Sequence, residues 1–198
     1  MTPKSSKPET MHLNKNQKTL PKRGLRLLCP DLMVESVTQI NPQLLLKRGI
    51  KGVILDLDNT LVLWHREDIT EETLQWLETL KSAGLKLCIL SNSIWSLRSE
   101  RIAERLQCPN VRQAKKPSRG GFLRALKAID TTPQATAMVG DQMFTDILGG
   151  NRMGIYTIMA APIHPKEFAY TRYISRPPER LLLRHFRRNG QIKHPKGE

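Results

Sequence analysis

The sequence predicts an α/β fold in which a mostly parallel β-sheet is flanked by helices. Three observations predict it. Between Cys29 and Gly190, short apolar runs alternate with segments of helical period, as in chains that build βαβ units. Capping residues and glycines bracket the helical segments. Polar clusters follow the apolar runs directly, at the strands' carboxyl ends, where open parallel sheets bind ligands.

The elements follow in order. Asn41 as N-cap, Pro42 at the first helical position and Gly49 beyond Leu46-Lys47-Arg48 predict a short helix, and residues 51–57 then read as a buried strand. Thr70 caps a second helix with Glu71 and Glu72 in its first turn. Leu74, Leu77 and Leu80 lie at helical spacing, and Gly84 is the stop. A strand over 85–90 ends at Ser91-Asn92-Ser93, which opens a helix over 95–106 with an apolar face of Leu97, Ile102 and Leu106. Lys115-Lys116-Pro117-Ser118 precedes a helix over 119–129. A strand over 135–139 then leads into Gly140-Asp141, and the helix after Phe144 stops at Gly149-Gly150 or at Gly154, before a strand over 155–159.

A chain of 198 residues and 22.6 kDa can bury one sizeable core, so one folded domain is expected over 27–175. No apolar stretch has the length of a membrane span. Cys29, Cys88 and Cys108 have no CxxC spacing and read as reduced, structural thiols.

The formal charge of +14 is unevenly placed. Residues 1–26 hold seven Lys or Arg against Glu9, and residues 172–198 hold eight against Glu179 and Glu198, a net +6 at each end. Residues 1–20 lack the apolar core of a secretory signal and read as disordered, within a basic arm over 1–26; 176–198 read as a basic C-terminal helix and tail. A near-neutral body with basic ends suits an anionic surface, acidic lipid or nucleic acid; solvated tails are the plain alternative.

Four carboxylates carry the chemistry. Asp56-Leu57-Asp58-Asn59-Thr60 follows Val53-Ile54-Leu55, and Gly140-Asp141 with Asp146 follows Ala137-Met138-Val139. Negative charge gathered at strand ends implies a divalent cation. A phosphate monoester is a dianion near neutral pH, so a carboxylate attacks it only where positive charge offsets the repulsion, and magnesium and a lysine supply that charge. Asp56 and Asp58, two apart at a strand end, can share one side, one attacking and the other handling the leaving group's proton. Thr60 and Ser91 offer hydroxyls to phosphoryl oxygens, Lys116 a fixed charge, and Asp141 a metal ligand. Plainer roles exist: Ser91-Asn92 as a helix cap, Lys115 as a solvated charge or as the donor in place of Lys116, Asp146 as a dipole partner at a helix start.

In order, Asp56-Leu57-Asp58-Asn59-Thr60, Ser91-Asn92, Lys116-Pro117 and Gly140-Asp141-Gln142-Met143-Phe144-Thr145-Asp146 resemble the haloacid dehalogenase (HAD) superfamily of phosphatases. The resemblance implies a Rossmann-like fold, Asp56 as the residue that becomes aspartyl-phosphate, and Asp58 as general acid and then base. It implies Mg2+ held by the Asp56 carboxylate, the Asp58 backbone carbonyl and Asp141, with Asp146 acting through water or behind the ligands. Thr60, Ser91 and Asn92 are then the substrate-binding residues. Residues 60–91 and 91–116 leave no room for a cap domain. An open rim suits phosphates presented on large or surface-bound molecules.

The runs 48–62 and 139–154 look like the YqeG-like branch of subclass IIIA, which includes phosphatidylglycerophosphate phosphatases. That likeness implies hydrolysis of phosphatidylglycerophosphate to phosphatidylglycerol by a cytoplasmic protein meeting the inner face of a membrane. A soluble phosphatase of nucleotides, sugars or phosphoproteins shares the chemistry, and a nucleic-acid or ribosome-associated protein on the same scaffold is the reading from another class. Residues 176–188 form a helix with Leu182, Leu183 and Phe186 partly on one side. Those residues either meet a bilayer or pack on the domain while the arginines stay solvated. Trp64 lies where a flap would cover the site, as packing or as a substrate contact. The five histidines, His12, His65, His164, His185 and His194, lack metal-ligand spacing and read as surface residues.

Overall fold

The computed structural model describes residues 23–63, 66–93, 96–164 and 176–192. In chain order the elements are β1 (Leu32–Val34), α1 (Pro42–Lys47), β2 (Gly52–Leu55), α2 (Glu71–Ser82), β3 (Lys86–Leu90), α3 (Ser96–Arg105), β4 (Asn110–Val111), α4 (Arg119–Ala128), β5 (Thr136–Gly140), α5 (Leu148–Met153), β6 (Tyr156–Ala160) and α6 (Arg176–Arg188). A π-helical turn, Met143–Ile147, leads into α5. The six strands form one parallel sheet in the order β1-β6-β5-β2-β3-β4. After β2 the chain builds outward through β3 and β4, then returns to add β5, so the strand order reverses beside β2. Ligand sites form at that reversal.

The central strands are apolar throughout because both faces of the sheet are covered. Val53 and Leu55 of β2, Leu87 and Ile89 of β3, and Ala137 and Val139 of β5 join the core beneath α2 and α3. Ile54, Cys88, Leu90 and Met138 point the other way, against Phe122, Ala125 and Leu126 of α4. The period of two along each strand thus sorts the residues into two cores.

Asn41 caps α1 through its side chain on Gln43 N, and Thr70 caps α2 on Thr73 N, as read from the sequence. One expectation needs correction. Leu97 does not share the inner face of α3: it is 67% exposed, whereas Ser99, Ile102, Ala103 and Leu106 are buried. Those four recur at three- and four-residue steps, and Leu97 lies well off their stripe. Of the two helix stops read from the sequence, Gly154 is the one used, left-handed at φ 73°, while Gly149 and Gly150 lie within α5. Gly149 serves close packing, since a Cβ there would sit 2.4 Å from the Phe122 ring. Strands β1 and β4, three and two residues long, are too short to show a pattern in the sequence.

Helix α6 docks on the body. Phe186 is buried with Cys29, Met143, Ile147 and Met159, and Leu182 and Leu183 pack against that cluster. Arg180, Arg184, Arg187 and Arg188 remain exposed, as does Leu181. No helix among the described residues is long and apolar enough to cross a membrane.

Candidate active site

Asp56 and Asp141 leave neighbouring strands at the strand-order reversal. Leu55 pairs with Val139, and Asp56 N donates to Val139 O at 2.9 Å, which sets the first carboxylate beside Gly140-Asp141. Both side chains are buried. Gly140 is required there: a Cβ would lie 2.3 Å from Asp146 Oδ2, so only glycine lets Asp146 fold back under the strand end. Asp146 is held by Gln142 N, which donates to its Oδ2 at 3.1 Å.

Lys116 lies at the centre. Its Nζ is 2.5 Å from Asp56 Oδ1 and 2.7 Å from Asp146 Oδ1. The other oxygen of Asp56 accepts from Thr60 Oγ1 at 3.3 Å. Burial alone would push the Lys116 ammonium down, but Asp146 and Asp56 outweigh it and hold its pKa above the usual lysine value. Burial is likewise the main influence on Asp146, raising it against the lowering pull of Lys116. Lys115, by contrast, is exposed.

Asn92, read as a substrate-binding residue, is committed to Lys116. Its Oδ1 accepts from Lys116 N at 2.7 Å and its Nδ2 donates to Lys116 O at 3.1 Å. That two-pronged grip fixes the backbone of the lysine from the end of β3. Ser91 is buried, and its Oγ accepts from Ser93 N at 3.0 Å, a bond within the loop ahead of α3 that leaves the hydroxyl's proton to donate.

Asp58 faces differently from the other three carboxylates. Its Oδ1 pairs with Arg98 Nη1 at 2.6 Å. Burial raises its pKa, with Asp56 adding to the rise and Arg98 opposing it. Among the described residues, the carboxylates that gather as a metal-capable set are Asp56, Asp141 and Asp146, with ligand oxygens within 4.8 Å of one another. Three buried hard oxygen donors fit Mg2+. The Asp58 side chain is not in that set, so a contribution from Asp58 to a metal would come from its backbone.

Sequence reasoning misses two residues. Arg98 sits in the charged stretch Leu97-Arg98-Ser99-Glu100-Arg101 and looks like a solvated face. Glu179 of α6 is buried, and its Oε1 accepts from Met143 N at 3.2 Å, behind the loop that carries Asp141. Its Glu179-Leu182-Leu183-Phe186 spacing is the available signal. His164 and His185 are exposed as expected. Trp64, His12, His65, His194 and the basic arm over residues 1–22 lie outside the described residues.

A parallel sheet with these four motifs at the carboxyl ends of its strands defines a phosphoric monoester hydrolase of the HAD superfamily. Comparison with known proteins narrows the class. The family model for mitochondrial PGP phosphatase matches residues 13–164. The chain belongs to that family. It is 36% identical over 168 residues to the probable phosphatase YqeG of Bacillus subtilis, covering 85% of this chain and 96% of the relative. It is 27% identical over 173 residues to phosphatidylglycerophosphate phosphatase 1 (chloroplastic/mitochondrial) of Arabidopsis thaliana, covering 83% of this chain and 50% of the relative. To the mitochondrial phosphatidylglycerophosphatase GEP4 of Saccharomyces cerevisiae it is 34% identical over 123 residues, covering 56% of this chain and 66% of the relative. Helix α6 lies beyond the residues that the family model matches.

Proposed function

We propose that the chain is a Mg2+-dependent phosphatase that works through an aspartyl-phosphate on Asp56 and removes the terminal phosphate of phosphatidylglycerophosphate at a membrane surface. The observation that carries the chemistry is the placement of Asp56: a buried carboxylate at the end of the central strand, with a lysine on one oxygen and a threonine hydroxyl on the other.

Asp56 attacks phosphorus. The Asp56 O–P bond forms as the bond to the leaving oxygen breaks, and that oxygen takes the electron pair and a proton from Asp58 to depart as an alcohol. Water then attacks the same phosphorus and passes a proton to Asp58; the Asp56 O–P bond breaks and inorganic phosphate leaves. Lys116, fixed by Asn92, faces the charge that builds on the phosphoryl oxygens, and Thr60 and Ser91 offer hydroxyl donors. Mg2+ would be held by Asp56 and Asp141 with Asp146 close by, supplying Lewis-acid charge.

The substrate reading rests on family membership and on two physical features. The described residues between Thr60 and Ser91, and between Ser91 and Lys116, build α2, β3, α3 and β4 and no cap, which leaves an open rim. On α6 the apolar side packs inward while four arginines face outward, so packing on the domain and attraction to an anionic bilayer hold together; each basic residue near such a surface contributes about 1 kcal/mol.

Turnover by the purified protein on phosphatidylglycerophosphate in vesicles, set against a panel of soluble phosphomonoesters, tests the proposal. Preference for soluble nucleotides or sugars would replace the lipid substrate. Salt-sensitive RNA binding with no hydrolysis of any monoester would favour the nucleic-acid reading. The complete set of Asp56, Asp58, Lys116 and Asp141 speaks against that second outcome, because a scaffold has no physical need for it.

A further inference from the structure

We propose that Arg98 is a positioning residue that fixes which oxygen of Asp58 faces the leaving group, and so tunes the enzyme to poor, alkoxide leaving groups. The inference rests on the reading of Asp58 as the proton-transfer residue.

Arg98 extends from the first turns of α3, and all three of its guanidinium nitrogens donate within the protein. Nη1 bonds Asp58 Oδ1 at 2.6 Å, Nε bonds Arg66 O at 2.7 Å and Nη2 bonds Leu63 O at 3.2 Å. Three of its five N–H groups are thus committed to protein oxygens, so this arginine holds protein. The pair is largely shielded, with the side chains 13% and 18% exposed, so the charge-assisted bond is short and directional. Among the described residues Asp58 Oδ2 accepts no hydrogen bond. One oxygen is therefore anchored and the other left to carry the proton.

The two backbone bonds complete the arrangement. The chain leaving Asp58 turns sharply, with Asn59 at φ 62° and Asn59 N donating to Val62 O at 2.8 Å. Beyond that turn, Leu63 O and Arg66 O are both gripped by the same guanidinium. Arg98 thus ties the helix that follows Ser91 to the segment that follows Asp56, and Asp58 is fixed relative to both. A planar fork with fixed angles suits this task better than a lysine, whose single ammonium rotates freely.

Leaving groups distinguish positioning from mere support. An aryl phosphate releases a stable phenolate without a proton, whereas an alkyl phosphate needs one from Asp58. The experiment compares Arg98→Gln and Arg98→Lys with the unaltered protein on p-nitrophenyl phosphate, on glycerol 3-phosphate and on short-chain dihexanoyl phosphatidylglycerophosphate, with Mg2+ present. Arg98→Gln is expected to lower kcat on both alkyl phosphates about 10²-fold, the usual scale of one proton-transfer group, with KM within about twofold. Mixed rapidly with the aryl phosphate, it should still release a burst of about one nitrophenolate per enzyme, because the first step needs no acid and the second still needs a base. Arg98→Lys should recover part of the alkyl activity.

Equal losses on aryl and alkyl substrates together with loss of the burst would overturn the proposal, as would unchanged alkyl turnover. Should Arg98→Gln fail to fold, Arg98→Lys carries the test, with kcat/KM lowered on the order of tenfold on the alkyl phosphates but not on the aryl phosphate, and parity with the unaltered protein overturning it. Unaltered protein that hydrolyses glycerol 3-phosphate but not the lipid would sink the substrate reading alone, and Arg98 is then judged on glycerol 3-phosphate.

Discussion

Lys116 bridges Asp56 and Asp146, with its ammonium 2.5 Å from one carboxylate and 2.7 Å from the other. One buried cation thereby offsets part of the charge of both Asp56 and Asp146, a carboxylate of the fourth motif. Removing the cation leaves two carboxylates facing each other without water, which costs about 3–5 kcal/mol for a broken buried pair. Lys116→Met should therefore lower the melting temperature and cut kcat at least about 10²-fold through the lost charge on the phosphoryl oxygens. Asp146→Asn should destabilise less, because Asp56 still pairs with the lysine. Thermal melts and steady-state kinetics on both variants check the ranking; equal destabilisation would mean that Lys116 serves one partner only.

Asp141 gathers with Asp56 and Asp146, their ligand oxygens within 4.8 Å of one another, and its role is read from metal binding. Adding Mg2+ at about 100 times its dissociation constant stabilises a one-site protein by about 2.7 kcal/mol. The unaltered protein should show that upward shift in its thermal melt, and Asp141→Asn should lose most of it together with activity. An undiminished shift in Asp141→Asn would place the ion elsewhere.

Much of this site is legible in the sequence for a physical reason. Asp56, Ser91 and Asp141 each follow a strand directly, and in a parallel sheet that position alone brings them to one rim, where Thr60, Lys116 and Asp146 join them from the loops just beyond. What escapes is any role set by a partner distant in the chain. Asn92 looks like a phosphate contact next to Ser91, yet its amide is taken by the Lys116 backbone 24 residues later. Arg98 is separated from Asp58 by 40 residues and Glu179 from Met143 by 36, and nothing local to either residue announces its partner. The inward stripe of α3 is misread at Leu97 because a polar residue, Ser99, occupies the buried position and accepts from Asn110 Nδ2 at 3.1 Å.

Buried thiols give the protein a pH signature remote from catalysis. Burial pushes Cys88 up to about 12 and Cys108 up to about 11, against 9.0 for a free thiol. A thiol whose folded pKa is raised favours the folded state while protonated in both states, below about 9; the advantage is lost as pH rises through the folded values. Stability to urea should therefore fall between pH 9 and pH 11, and the Cys88→Ala, Cys108→Ala double variant should show a shallower decline than the unaltered protein. Parallel declines would count against this account.

Phe186 is where the C-terminal helix earns its place in the fold. It is 1% exposed and packs with Met143 and Ile147, which lie between Asp141 and α5, while Glu179 of the same helix accepts from Met143 N. Phe186→Ala should cost about 3–5 kcal/mol, the usual loss for a buried aromatic. Glu179→Ala should cost about 1–3 kcal/mol by leaving a buried N–H without this acceptor. Because both residues support the loop carrying Asp141, their loss should also weaken the Mg2+-induced thermal shift. Replacing the outward Arg180, Arg184 and Arg187 with glutamine should instead leave melting temperature and soluble-substrate turnover unchanged, while lowering binding to anionic vesicles. The two sets of variants separate the inner face of α6 from its outer one: if the outer arginines alter the melt and the inner pair alters only vesicle binding, the helix faces are assigned the wrong way round.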